Sequence, residues 1–153
     1  MLCIASTAAD QPFVWPSESR LSLTFQRGSC MANPVLHFEI PVTDMDRAVV
    51  FYQRLFGFEF DHQTVDGYEM AFFPRNDNHT GTSGALVKGD VYKPSRTGCI
   101  LYFDVDDIDE VLRRAQTEGS VVLYAKKDIG TAGFVAEIED SEGNRIALNA
   151  MHR

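Results

Sequence analysis

The sequence is poor in cysteine, in positive charge and in long apolar runs, and each shortage removes a class of protein. Its three cysteines, Cys3, Cys30 and Cys99, are odd in number and far apart. That spacing supports neither a disulfide framework nor a paired-cysteine zinc site, and it points to a reducing, cytoplasmic setting. Lys and Arg number 14 against 22 Asp and Glu, a formal charge of -8. A surface that tracks phosphates needs a concentrated basic excess, so no nucleic-acid partner is expected. No apolar run approaches the ~20 residues of a membrane span, and the opening residues lack the basic segment and long apolar core of a signal peptide. Gly130-Thr-Ala-Gly133 lacks the length and the strand-to-helix context of a phosphate-binding loop and reads as a loop at a cavity edge.

What is present is one core's worth of patterned chain: 153 residues with 44% apolar content suit a single domain. Residues 1–30 are rich in Ser, Thr, Pro and Gln and read as a leader outside the fold, with Met31 as the expected true start and residues 31–153 as the domain. From Pro34 the punctuation becomes regular. Val35 to Val42 alternates as a strand does. Thr43 is the expected helix cap, with Asp46 three residues on. Met45, Ala48, Val49, Tyr52, Leu55 and Phe56 form one helical stripe, and Gly57 supplies the stop. Strands are expected at Phe58 to His62, Tyr68 to Phe73 and Ser83 to Lys88, so residues 34–92 form a βαβββ module.

Residues 97–150 repeat that order. Sliding the sequence by 63 positions sets Val42, Asp44, Met45 and Asp46 on Val105, Asp107, Ile108 and Asp109, a match at the scale of a structural repeat. Cys99 to Val105 is an expected strand, Asp106 or Asp107 caps a helix ending at Gly119, and Val121 to Lys126, Phe134 to Glu139 and Asn144 to Asn149 are expected strands. Asp140-Ser-Glu-Gly-Asn144 joins the last two as a tight turn. The expected fold is α+β, two βαβββ modules forming a curved mixed sheet around a cavity.

His37-Phe-Glu-Ile-Pro-Val-Thr-Asp-Met-Asp-Arg-Ala, Phe51-Tyr, Leu55-Phe-Gly57, Val105-Asp-Asp-Ile-Asp and Glu139-Asp-Ser-Glu-Gly-Asn144 resemble the signatures of the vicinal-oxygen-chelate superfamily, which holds glyoxalases, bleomycin-resistance proteins and extradiol dioxygenases. The resemblance runs from about Pro34 to Ala150. It implies a homodimer, a small organic ligand and, in the family's enzymes, a divalent metal held by side chains from the first and last strand of each module. Carried onto this chain, His37 falls on the first ligand position, but Ile100 and Ala147 stand where two others belong, and Ser83 to Lys88 contains no carboxylate or imidazole. An isoleucine cannot ligate, and one histidine does not hold a divalent ion against water. No cofactor is therefore expected; the alternative is a divalent metal in a rebuilt site of His37, Glu39 and Glu69.

Strand phase names the residues facing the cavity. If Leu36, Phe38 and Ile40 pack on the helix, His37 and Glu39 face the cup. By the same phase Tyr102 and Asp104 face it from the second module, with Arg145, Ala147 and Asn149 from the last strand. His37 and Glu39 suit acid/base chemistry, and Arg145 suits an anionic group or an ion pair with Glu39 or Asp104. His62, Asp77 and His79 read as surface residues, Cys99 as no nucleophile, and Phe51 and Tyr52 as helix core. The expected function is metal-free binding of a small organic molecule. The alternatives are a lyase, isomerase or dioxygenase-type enzyme with an altered metal site, and a drug-sequestering protein, for which the negative charge suits a cationic drug.

Overall fold

The computed structural model describes residues 35–75 and 82–152. The expected leader, the start at Met31, and Asp77 and His79 lie outside the described residues. The elements come in two matching series: β1 (His37–Val42), α1 (Met45–Phe56), β2 (Asp61–Val65), β3 (Tyr68–Phe72) and β4 (Ser83–Lys88), then β5 (Leu101–Asp104), α2 (Ile108–Thr117), β6 (Val122–Asp128), β7 (Phe134–Glu139) and β8 (Arg145–Ala150). A short 3-10 turn at Gly130–Ala132 precedes β7. The strands form two four-stranded sheets, ordered β1-β4-β3-β2 and β5-β8-β7-β6. In each, the first strand runs parallel to the last and the other pairs are antiparallel. This is the βαβββ repeat expected from the sequence.

The 63-residue offset is a repeat of burial as well as of pattern. Met45, Ala48 and Tyr52 on α1 are buried, and so are Ile108, Val111 and Ala115 at the same positions of α2. Both helices, with Ile40, Val42, Leu86, Ile138, Ile146 and Leu148 from the two sheets, belong to one core cluster. Burial of large side chains at about 25 cal/mol per Å² drives this arrangement. Among the described residues no helix is long and apolar enough to cross a membrane.

Several boundaries differ from the sequence reading, each for a local reason. The cap of α1 is Asp44, which accepts from the Arg47 amide at 3.0 Å; Thr43 is drawn away by Glu142, which accepts from its amide at 2.9 Å and its hydroxyl at 2.7 Å. Asp107 rather than Asp106 caps α2. The strand expected at Phe58 to His62 starts at Asp61, because Phe58 and Phe60 turn into an aromatic cluster with Phe56, Phe73 and Phe103. The register of β2 is set instead by the turn at Asp66 and Gly67, both at positive φ (50 and 83), the geometry of a tight hairpin. The strand expected from Cys99 starts at Leu101, because the beginning of β8 pairs with the linker: the Arg145 amide donates to the Ser95 carbonyl at 3.4 Å, and the Ser95 amide to Asn144 Oδ1 at 2.9 Å. Leu36, expected on the helix side, precedes β1 and is 81% exposed.

Polar bonds lock the modules together. Tyr52 donates from α1 to Asp140 Oδ2 at 2.9 Å, and Asn144 Nδ2 donates to the same oxygen and to the Pro41 carbonyl, each at 2.8 Å. Arg114 donates to the Leu55 carbonyl at 3.0 Å. These bonds fix one module relative to the other.

Candidate functional site

The face of the first sheet turned away from α1 carries His37 and Glu39 on β1. Register places His37 beside Ser83 and Glu39 beside Ala85 on β4, and Ala85 beside Phe72 on β3. Ala85 and Val87 with Met70 form a small second apolar cluster, packed by Tyr68, Phe72 and Tyr92. His37 Nδ1 lies 2.7 Å from Ser83 Oγ, and Nε2 lies 3.9 Å from Glu39 Oε1. Both side chains are about one-third exposed, at 31% and 36%. Tyr92, from the connection after β4, donates to Glu39 Oε2 at 2.8 Å and meets the Tyr68 ring edge to face at 5.3 Å. This first cup thus has a polar rim of His37, Glu39, Ser83 and Tyr92 over an apolar and aromatic floor, the mixture typical of small-molecule sites.

Tyr92 and Ser83 were not singled out in the sequence. Tyr92 lies in a connection with no periodicity, so its placement had no local signal. Ser83 was legible as the first residue of the last strand, and parallel pairing with β1 sets it against His37.

The second sheet arranges its candidates differently. Register aligns Tyr102, Ala147, Glu137 and Tyr124 across one face, with Asp104 beside Asn149 and Val135 in the next row. Tyr102 is 58% exposed. Arg145 pairs with neither Glu39 nor Asp104: its guanidinium holds the buried Glu137, with Nε at 2.8 Å from Oε2. Asn149 Nδ2 donates to the carbonyls of Ala132 and Phe134 at 3.1 and 3.2 Å, which ties down the loop before β7. Glu39 and Arg145 both line a groove of about 290 Å³ along the seam of the modules, with Lys93, Cys99 and Leu101. Tyr102, Asp104 and Asn149 lie outside it. A larger groove of about 710 Å³ runs between α1 and the β7–β8 turn, lined by Arg47, Arg54, Glu118 and Glu142. Both of its arginines are already ion-paired: Arg47 binds Glu142 and Arg54 binds Glu118, each at 2.7 Å. The first cup and the seam groove are therefore the better site.

Among the described residues the side chains expected as metal donors do not converge on one point. His37 lies beside Ser83, and strand β4 from Ser83 to Lys88 offers no carboxylate or imidazole. Glu69 alternates with Met70, so it lies on the opposite face of the sheet from His37 and Glu39 and pairs with Lys88 at 3.5 Å. Among the described residues no three His, Cys, Asp or Glu side chains converge as metal ligands do, and a divalent ion needs three or more such ligands. The Cys99 thiol is exposed, and His62 is exposed on β2.

Comparison with known proteins agrees with this architecture. The chain is 30% identical over 116 residues to "Putative glyoxylase CFP32" of Mycobacterium bovis, covering 72% of this chain and 42% of that protein; it thus spans less than half the length of that relative. A "Glyoxylase-like domain-containing protein" of Didymella fabae is 27% identical over 114 residues, covering 72% of this chain and 88% of its own length. Among solved structures, TnmS3, an antibiotic-binding protein from Streptomyces sp. CB03234, superposes with a TM-score of 0.56 at 26% identity, covering 78% of this chain and 97% of that one. Glyoxalase I of Leishmania major superposes at 0.62 with 22% identity, covering 77% and 86%. Residues 35–148 match one family along their whole length, and the chain belongs to the Glyoxalase/Bleomycin resistance protein/Dioxygenase superfamily.

Proposed function

We propose that this chain binds a small organic molecule in the first cup and the adjoining seam groove, without a chelated divalent ion. The observation that carries the reading is the neighbour of His37. The last strand, Ser83 to Lys88, carries no carboxylate or imidazole, and what it sets against His37 is Ser83, whose Oγ lies 2.7 Å from the imidazole. The cup keeps what ligand binding needs: an imidazole, a carboxylate and a phenol over an apolar floor. A shared scaffold alone does not transfer an activity.

A second reading, sequestration of an antibiotic or similar drug, is favoured by the likeness to TnmS3. The third, an enzyme of lyase, isomerase or dioxygenase type, draws on the glyoxylase names of the curated relatives. One experiment separates them: a thermal-shift screen of the full chain against metabolites, antibiotics and divalent metals, since a ligand of the folded state raises its apparent stability. The first reading expects stabilisation by organic compounds with no dependence on added metal. Stoichiometric metal retained after purification and lost in His37→Ala would overturn it in favour of the third, and tight saturable binding of an antibiotic that emerges chemically unchanged would establish the second.

A further inference from the structure

The His37 ring has two neighbours of different kinds. Nδ1 lies 2.7 Å from Ser83 Oγ, and the Ser83 hydroxyl donates to the Leu36 carbonyl at 3.0 Å. A hydroxyl has one proton to give. The Leu36 carbonyl, which also accepts from the Ser83 amide at 3.1 Å, can only accept; if the hydroxyl proton goes to it, Oγ meets Nδ1 as an acceptor, Nδ1 carries the ring hydrogen and Nε2 carries the lone pair. Nε2 in turn faces Glu39 Oε1 at 3.9 Å, too far apart for a direct hydrogen bond. The other oxygen of Glu39 is taken by Tyr92.

Two acceptors, one of them anionic, thus face each other across a gap that one donor atom with two hydrogens can bridge at about 2.8 Å from each. The walls are aromatic: the Phe72 ring centre lies 6.2 Å from that of His37, and the Tyr68 and Tyr92 rings stand together beyond Glu39. Aromatic faces attract cations and not anions. Lys93 and Arg145 line the groove that Glu39 also lines, but Arg145 is held by Glu137, and among the described residues no Lys or Arg is ion-paired with Glu39.

We propose that the first cup takes an organic ammonium ion, a protonated primary or secondary amine on an apolar or aromatic body. Its N–H groups bridge His37 Nε2 and Glu39 Oε1, and Ser83 is the positioning residue that holds the imidazole in its accepting tautomer. This assignment rests on the first cup being the ligand site and names the chemistry that site selects.

The test is calorimetric titration of the full chain with three probes built on one indole ring. Tryptamine carries charge and donors, N,N,N-trimethyltryptammonium carries charge without donors, and indole-3-propionate carries the opposite charge. Tryptamine should bind at least about tenfold more tightly than the trimethyl probe, and the propionate more weakly still. Ser83→Ala should weaken tryptamine several-fold, and Ser83→Thr, which keeps the hydroxyl, should restore it. The imidazole nitrogen NMR spectrum, recorded above the pH at which it stops changing, should show the hydrogen on Nδ1 in the parent and a shift toward Nε2 in Ser83→Ala, a change that a purely structural serine would not produce. A parent spectrum with the hydrogen on Nε2, or indole-3-propionate binding as tightly as tryptamine, overturns the proposal. The two readings fail separately. If the thermal-shift screen yields only neutral or anionic ligands whose binding is lost in His37→Ala, the ammonium assignment falls while the cup remains the site; if no compound stabilises the chain, the cup reading falls and the ammonium assignment with it.

Discussion

Asp140 receives four hydrogen bonds in a site from which most water is excluded. Its Oδ1 accepts from the amides of Glu142 and Asn144 at 2.9 and 2.8 Å, and its Oδ2 accepts from Tyr52 and from the Asn144 side chain. Burial pushes its carboxyl above the usual range against the pull of those bonds, and burial followed by the Asp140 charge pushes the Tyr52 hydroxyl well above its ordinary value. Removing one donor from such a set leaves a buried acceptor short, so Tyr52→Phe should cost about 1–2 kcal/mol. Asp140→Ala, which strands the donors instead, should cost more, about 3 kcal/mol; urea unfolding monitored by tyrosine-independent circular dichroism measures both. Glu142 beside it behaves in the opposite sense. Its side chain is 0% exposed, covered by Arg47 and Thr43, which both donate to it. Burial pushes its carboxyl up, but bonds from Arg47, from the Thr43 hydroxyl and from the Thr43 and Asp44 amides outweigh that and hold it at about 2. Because the folded value lies below the ordinary 4.5, the stability it contributes is complete above about 4.5 and is lost as pH falls toward 2. Glu142→Gln should therefore lose on the order of 1 kcal/mol at neutral pH, a figure reduced by solvent screening. Its unfolding free energy should also change less with pH between 4.5 and 2 than that of the parent; an unchanged pH slope would remove Glu142 from the account.

Strand β4 is the element that makes the cup. It lies between β1 and β3, so its two faces serve different ends. Leu86 faces the helix core, while Ala85 and Val87 floor the cup. Small residues are needed where rings approach closely: a Cβ built on Gly84 would stand 2.2 Å from Phe38 Cζ. Gly84→Ala should push the Phe38 ring out of its place against Phe73 and destabilise by about 1–3 kcal/mol through overpacking. A melting temperature equal to the parent's would show that the ring can swing away freely. The outer strand β2 is exposed throughout, and its polar run Asp-His-Gln-Thr suits a sheet edge that must not pair with another chain.

At the scale of the molecule, the second sheet keeps large apolar side chains exposed among the described residues. Tyr102 and Tyr124 share one face of that sheet by register and are exposed, and Val121, Ile129 and Met151 of the same module are exposed as well; exposed apolar surface of this kind marks places that meet a partner. We expect a homodimer covering this face, with sedimentation velocity giving twice the chain mass and Tyr102→Glu shifting it to the monomer; a parent that sediments as a monomer at tens of micromolar would remove the expectation. How far the sequence foretold the molecule depended on how local each feature was. The helices, the cup phase of His37 and Glu39 and the turn at Asp140 were legible because a strand alternates and a helix repeats within a few residues, and the two modules were legible because the pattern recurs at 63 positions. The start of β2 was not, because the pull of Phe58 and Phe60 toward Phe73 and Phe103 is a contact across the fold. The pairing of Arg145 with Glu137, the hold of Glu142 on the start of α1 and the reach of Tyr92 to Glu39 were likewise settled by neighbours 8 to 99 residues away. By itself the sequence determined two repeated modules and the chemical types available to a cup, since periodicity and residue identity are properties of a single stretch. Only the tertiary structure decided which of those groups meet: it set Ser83 against His37, turned Glu69 to the opposite face and bent Tyr92 over Glu39, because strand register and chain crossing, unlike pattern, exist only once distant segments have packed.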